Sequence, residues 1–530
     1  MDKWGMKCRE GLISILENES LFLLAAFLLR GILFVDPLKW HMEALTHLYT
    51  YLLCPWGGML IGFRLFRIRS GQTKAGMEMP ILLLLFAWIV FPMMFRFGPT
   101  FNNSVTDIGY AIVFFGIYAS IRERPEEVRR KLFFEMCLLF SILAMIWGGL
   151  LLYCAFTGTN FGKETGGILF GVQEGILYAG VHYNSTGMMA TGCLFMSIGL
   201  SERSGHSLLR IAGILSSVPM VLVIILSQSR SCRYAMLIAF AFGAFVRVLF
   251  VPFKNRLFQK GVAVVCGAAV LIGGYLLASV ITDLALMHYE KLSAEQAGTM
   301  GTIEHKDVSF VNLEAKNIGS ISNVKIEEFE RLSTTFTEIL ENKSTEETIQ
   351  LCGERNVPKR NLHVEANKML FVSNAKAEGK MTGQARAAVD ATFSDRTNVW
   401  RNLFDLWRSD PWKMFIGRGV GNTGSLIAHD TTHEADGTAA VHNTYLQFVA
   451  DFGLIGFILQ IAFFIVILPS SLRGLATGIR KPTNGNLSMG MMVVAIFAIG
   501  VMESAPLGQM TPTNLMLYTA LAFLIADGDL

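Results

Sequence analysis

Four side chains have the types and neighbourhoods that group-transfer chemistry needs. His442 heads the run HNTYLQFVADFGLIG, where a long polar segment meets an apolar one. Arg230 lies in SQSRSCRY at the end of an apolar run, with Arg233 close behind, and Arg396 lies in SDRTNVW. A neutral imidazole can take a proton from a hydroxyl near neutral pH. A guanidinium presents a planar fork of donors that fits phosphate oxygens. Two such forks suit a diphosphate, the anchor and leaving group of a polyprenyl-linked sugar. Arginines that stabilise the departing charge would remove the need for a metal.

Each residue also has a plainer reading. An arginine at a span boundary commonly snorkels to headgroups. Arg396 has an acidic neighbour in Asp395. His442 could precede a membrane helix by chance, with glycines serving helix packing. None of these explains why basic side chains bracket the polar loop that leads to His442. On an ideal helix Gly453 lies about 16 Å below His442 on nearly the same face, with Gly456 about 40° off it. The expectation is a stripe of small residues under the imidazole, with Asn443 beside it. Asp451 falls about 13 Å below His442 on the opposite face. A buried acid in a span needs a partner or a wet cavity, and Arg30 in the first span is its matching oddity. His429, Asp430, His433 and Glu434 follow no known metal-site spacing, so neither metal nor cofactor is expected.

The elements that must position these groups are membrane helices. Hydrophobic residues make up 52% and charged residues 16%, against roughly a quarter charged in soluble domains. The pattern predicts an all-α polytopic membrane protein with about twelve spans. They fall at 20–35, 44–66, 79–95, 106–121, 132–156, 183–200, 208–228, 234–252, 261–283, 443–468, 487–503 and 513–527. Basic clusters before span one and after spans two, four, eight and ten share one side, which the positive-inside rule makes cytoplasmic, with both termini inside. Arg230 and Arg233 then lie outside, where arginine is less expected.

Three regions follow: helices one to nine over 1–283, a large extracytoplasmic loop over 284–442, and helices ten to twelve over 443–530. The loop divides into a polar, partly helical insertion at 284–392 and a second part at 393–442. In that second part Trp400, Leu403, Leu406 and Trp407 recur at helical spacing, predicting an amphipathic helix on the membrane surface that Asp410-Pro411 stops. Gly417, Gly419 and Gly421 then form a tight loop; with no strand before it, GRGVG is not a nucleotide fingerprint. A net charge of +3 gives no reason to expect nucleic acid. Of the eight cysteines only Cys352 lies in the large loop, so no disulfide framework follows.

His442-Asn443, nine residues and then Gly453-x-x-Gly456 resembles the outer-loop signature of the O-antigen ligase and O-antigen polymerase superfamily. Ser229-Arg230, Asp395-Arg396-x-x-x-Trp400 with its trailing Pro411 and GRGVG, and Asn184 in GVHYNSTGMM are similar to further family positions. The resemblance covers about 180–460. Two features depart from the ligases: Tyr234 stands where a leucine often follows the arginine, a spacing Arg233 meets with Leu237, and Phe457-Ile458 replace Thr-Trp after the glycines. The resemblance implies a metal-independent, inverting glycosyltransferase of the bacterial cytoplasmic membrane, acting on its extracytoplasmic side. His442 would be its base and Arg230 and Arg396 its diphosphate ligands. Arg233, Asn443, Gly453, Gly456 and Asn184 would support them. Its donor would be an undecaprenyl-diphosphate-linked glycan and its acceptor a glycan or lipid, as a ligase or a polymerase. A polyprenyl-sugar transporter or flippase is the competing class; it should show internal repeats and broken helices near mid-bilayer. A sensor using the outer insertion is a third.

Overall fold

The computed structural model describes residues 18–30, 53–71, 76, 78–94, 116–122, 124–160, 170–173, 175–179, 183–203, 206–250, 256–300, 399–419, 423–427, 441–480, 485–503 and 512–528. Arg396, the metal-candidate cluster at 429–434, Gly421 and nearly all of the insertion lie outside them, as does the side chain of Arg30. The chain is a helical membrane protein. Its helices are α1 (Glu19–Arg30), α2 (Cys54–Arg69), α3 (Glu78–Met94), α4 (116–122), α5 (Glu126–Thr157), α6 (Tyr183–Arg203), α7 (Ser207–Leu226), α8 (Arg230–Phe250), α9 (Arg256–Met300), α10 (399–409), α11 (Pro411–Ile416), α12 (Gly424–Ile427), α13 (Thr444–Arg480), α14 (Asn486–Met502) and α15 (Pro512–Gly528). A two-stranded antiparallel hairpin, β1 (Phe170–Gln173) and β2 (Ile176–Ala179), joins α5 to α6 with Gln173 opposite Ile176.

Each of the twelve expected spans contains described helix. Among the described residues α5, α7, α8, the stretch Arg256–Tyr289 of α9 and α13 are long and apolar enough to cross a membrane. Shorter apolar helices include α14 and Asn514–Gly528. Helix α9 runs well past the expected boundary at 283: its polar end, YEKLSAEQAGTM, is rich in good helix formers, so the helix outlasts the apolar run.

Two units separate, Met1–Leu286 with Asn398–Leu530, and Met287–Thr397. The described residues of the candidate site lie in the first. Its centre is α6 and α15, buried along almost their whole lengths. Helix α6 packs on α5, α7 and α14, α8 packs on α14, and α13 packs on α15, α3 and α11. Small residues permit the close crossings. A Cβ on Gly187 of α6 would press on Cys232 of α8 at 2.9 Å, and one on Gly213 of α7 would meet the Ser201 backbone nitrogen at 2.7 Å.

The amphipathic helix α10 forms as expected, but its apolar face is covered by protein. Val399, Leu403 and Trp407 join Ile427, Val441, Val449 and Ala450 in one buried cluster, with Trp400 and Leu406 packed against it. The Trp400 indole donates to the Val441 carbonyl at 2.7 Å, and Asn402 to that of Ile427 at 3.2 Å. This corrects the placement of that face on a lipid surface. Asp410-Pro411 does end α10, and it also starts α11, with Pro411 in the first turn where its missing N–H costs nothing.

Candidate functional site

Helix α13 begins at Thr444, so His442 is outside it. Asn443 is its cap: the Oδ1 atom accepts from the backbone N–H groups of Tyr445 and Leu446, both at 3.0 Å. The Asn443 Nδ2 donates to the Val501 carbonyl at the end of α14, also at 3.0 Å. His442 is thereby held just ahead of the helix with φ +52°, in the left-handed region. Such a conformation costs a non-glycine residue on the order of 1–3 kcal/mol and persists only where its surroundings impose it. Gln228, two residues before Arg230, also has φ +52°; its side chain donates to Gly175 at the tip of the β hairpin at 2.7 Å. These two are the strained non-glycine residues among the described ones, and both flank the candidate site.

Glu503 joins the pieces. It follows α14 directly and is 6% exposed. Its Oε1 accepts from Asn184 Nδ2 at 2.9 Å and from Ser231 Oγ at 3.2 Å. Its Oε2 stands 3.7 Å from His442 Nδ1, an ion-pair separation too long for a hydrogen bond. Its backbone carbonyl accepts from Thr444 Oγ1. A buried carboxylate requires such donors to offset its lost hydration. The starts of α6, α8 and α13 and the end of α14 therefore meet at one acid. The His442 side chain is 41% exposed, so the ring is reachable while its Nδ1 faces the carboxylate. A carboxylate that closes to hydrogen-bond distance of one ring nitrogen fixes the tautomer and leaves the other nitrogen as the base.

The two arginines of α8 have different surroundings. Arg230 is the first helical residue, exposed, and makes no hydrogen bond or ion pair among the described residues. It adjoins Ser231, the Glu503 donor, at a helix N-terminus where N–H groups and the helix dipole favour anions. Arg233 turns back, its Nη2 donating to the Ile225 carbonyl at 3.2 Å, and so satisfies the last turn of α7. Asn184 joins the cluster through its bond to Glu503.

The glycines behave differently from the expected stripe. Gly453 has φ +73° and ψ +175° and breaks α13, so the straight-helix register from His442 to Gly453 is corrected. Carbonyls ahead of the break find donors elsewhere: Arg418 N–H reaches Ala450 at 2.9 Å, Gly419 N–H reaches Asp451 at 2.8 Å, and the Trp88 indole reaches Phe452 at 2.7 Å. Gly417 and Gly453 touch backbone to backbone; a Cβ on Gly417 would lie 2.6 Å from the Gly453 nitrogen. Glycine is needed at both positions for left-handed φ and for contact. Gly456 lets Trp88 close in, with a Cβ there 3.0 Å from Cδ1. These two glycines build the support under the site rather than a face of it.

Glu503 was missed because it lies far along the chain from the motif, in VMESAP. The signal was the one that flagged Asp451, an acid at the edge of an apolar span. No cluster of three or more potential metal ligands occurs among the described residues. Residues 215–461 match a family model described as O-antigen ligase. The matched stretch contains Arg230, His442, Gly453 and Gly456 and stops short of Glu503. Among curated proteins none matches the chain.

Proposed function

We propose that the chain transfers a glycan from a polyprenyl diphosphate to an acceptor hydroxyl, a reading supported by the match of residues 215–461 to a family model described as O-antigen ligase. The observation that carries the reading is the convergence on Glu503 of His442, Asn184 and the α8 start that bears Arg230. Glu503 faces His442 Nδ1 across 3.7 Å, and the other ring nitrogen takes the acceptor proton. The freed oxygen attacks the anomeric carbon as the bond to the diphosphate oxygen breaks, with inversion. Arg230 and Arg396 hold the diphosphate and stabilise the charge that develops on it. Metal independence follows from that assignment, and the extracytoplasmic placement follows from the loop charges.

The break in α13 is a feature that transporters also use, to expose carbonyls to ions or substrate. Here the carbonyls of Ala450, Asp451 and Phe452 are engaged by Arg418, Gly419 and Trp88. That favours a structural break beneath an enzyme site. The test is transfer of a polyprenyl-diphosphate-linked glycan by His442→Ala, Arg230→Ala and Arg396→Ala in vesicles. Lipid A core sugar, a growing glycan end and a protein serve as competing acceptors. All three variants should lose transfer, and the acceptor used separates ligase from polymerase. Unchanged transfer in all three would end the proposal.

A further inference from the structure

We propose that Gln447 and Asp451 are positioning residues that set the backbone of His442, an inference that rests on the reading of His442 as the base. The Val441 peptide is pinned on both sides. Its N–H donates to Gln447 Oε1 at 3.2 Å, and its carbonyl accepts from the Trp400 indole at 2.7 Å. Gln447 Nε2 in turn donates to both oxygens of Asp451, at 3.0 and 3.1 Å. Gln447 is 8% exposed and Asp451 is 0% exposed. Residues four apart share a helix face, and their side chains lean toward the N-terminus, so Gln447 reaches back to the residue before His442.

The direction of this relay follows from chemistry. A backbone N–H only donates. The Val441 N–H therefore takes the amide oxygen of Gln447, and the amide nitrogen turns toward Asp451, whose two oxygens accept from it. Gln447 links the two, and Asp451 holds its amide in that orientation. On the far side of His442, Asn443 is fixed by its cap and by Val501. His442 is thus the strained link between two pinned neighbours. The support extends downward as well, since the Asp451 carbonyl takes the Gly419 N–H at the Gly453 break. The buried acid that the sequence set beside Arg30 as an oddity belongs to a connected support running from the glycine loop to the residue before the imidazole.

Exchanging the donor and acceptor tests this. Gln447→Glu sets two carboxylates face to face, and Asp451→Asn frees the amide to flip. The double variant Gln447→Glu/Asp451→Asn restores complementarity, because the carboxylate introduced at position 447 can accept from both the Val441 N–H and the amide introduced at position 451. Each single variant should lower kcat for transfer about 10- to 100-fold at unchanged donor KM, as expected for a displaced catalytic group. The double variant should recover to within about threefold of wild type. Losses that simply add, or kcat and KM changing together, would show packing alone and overturn the proposal. Trp400→Phe removes the other pin without touching the buried Gln447–Asp451 pair, so it decides the matter if a single variant fails to fold: the same kcat-only loss supports the proposal, and an unchanged kcat overturns it. His442→Ala run alongside separates the two ideas. Full turnover there ends the base assignment. An inactive His442→Ala beside unaffected Gln447 and Asp451 variants ends only this inference.

Discussion

At one end of α14, Asn486 donates to Asp527 at 3.0 Å, and Asp527 lies 3.3 Å from Arg129, which also donates to the Ala526 carbonyl. Nearby charged groups are paired in the same way: Arg124 with Glu19 at 2.6 Å, Arg122 with Glu78 at 3.3 Å, and Arg247 with Glu202 at 3.2 Å. At the other end, Glu503 takes neutral donors from Asn184 and Ser231 and leaves one oxygen near a half-exposed histidine, while Arg230 stands exposed next to Ser231. The first end closes its charges against each other and ties helices together. The second engages its buried acid with amide and hydroxyl donors and sets a half-exposed imidazole and an exposed guanidinium close by. Matched ion pairs tie elements together, whereas a reachable imidazole and an exposed guanidinium are groups that a transition state can use.

The comparison can be broken from either side. The largest effect is expected from Arg230→Ala, with transfer falling about 10²- to 10³-fold and the folded protein unchanged, read by steady-state rates beside a thermal melt. Next, Gly453→Ala should destabilise by about 3 kcal/mol or more, through forbidden φ and backbone collision, and lower the yield of folded protein in detergent. Arg129→Ala should cost on the order of 3 kcal/mol in unfolding while activity per folded molecule holds, because it strands a largely buried Asp527. Glu503→Gln should do the reverse, with a roughly 10- to 100-fold loss of transfer and a smaller change in stability. Asn443→Ala should be the mildest, about 1 kcal/mol for a lost helix cap, seen in the thermal midpoint. An Arg129 variant that lost catalysis, or a Glu503 variant that lost only stability, would erase the distinction between the two ends.

The helices were legible because apolar runs of span length admit few alternatives in a bilayer. His442 and Arg230 stand out in the sequence as candidates for chemistry at span edges, and Asn184 through the family resemblance. Three other features were not read in advance. Glycine in a span reports neither a break nor a smooth face, so Gly453 was taken as part of an unbroken helix. The periodicity of Trp400, Leu403 and Trp407 shows that a face is buried, but not against what; the partners Val441 and Val449 come from the far side of a long loop. Glu503 has no local motif, and only the packing of α14 on α6 and α8 brings it to His442. Distance along the chain hid the acid; ordinary rules about buried charge would have marked it.

The most direct measurement is single-turnover transfer by His442→Ala in vesicles, with donor binding determined separately. The account predicts a rate at least about 100-fold below wild type at unchanged donor affinity, the signature of a lost base beside an intact diphosphate site. A wild-type rate, or a loss explained entirely by weaker donor binding, would contradict it.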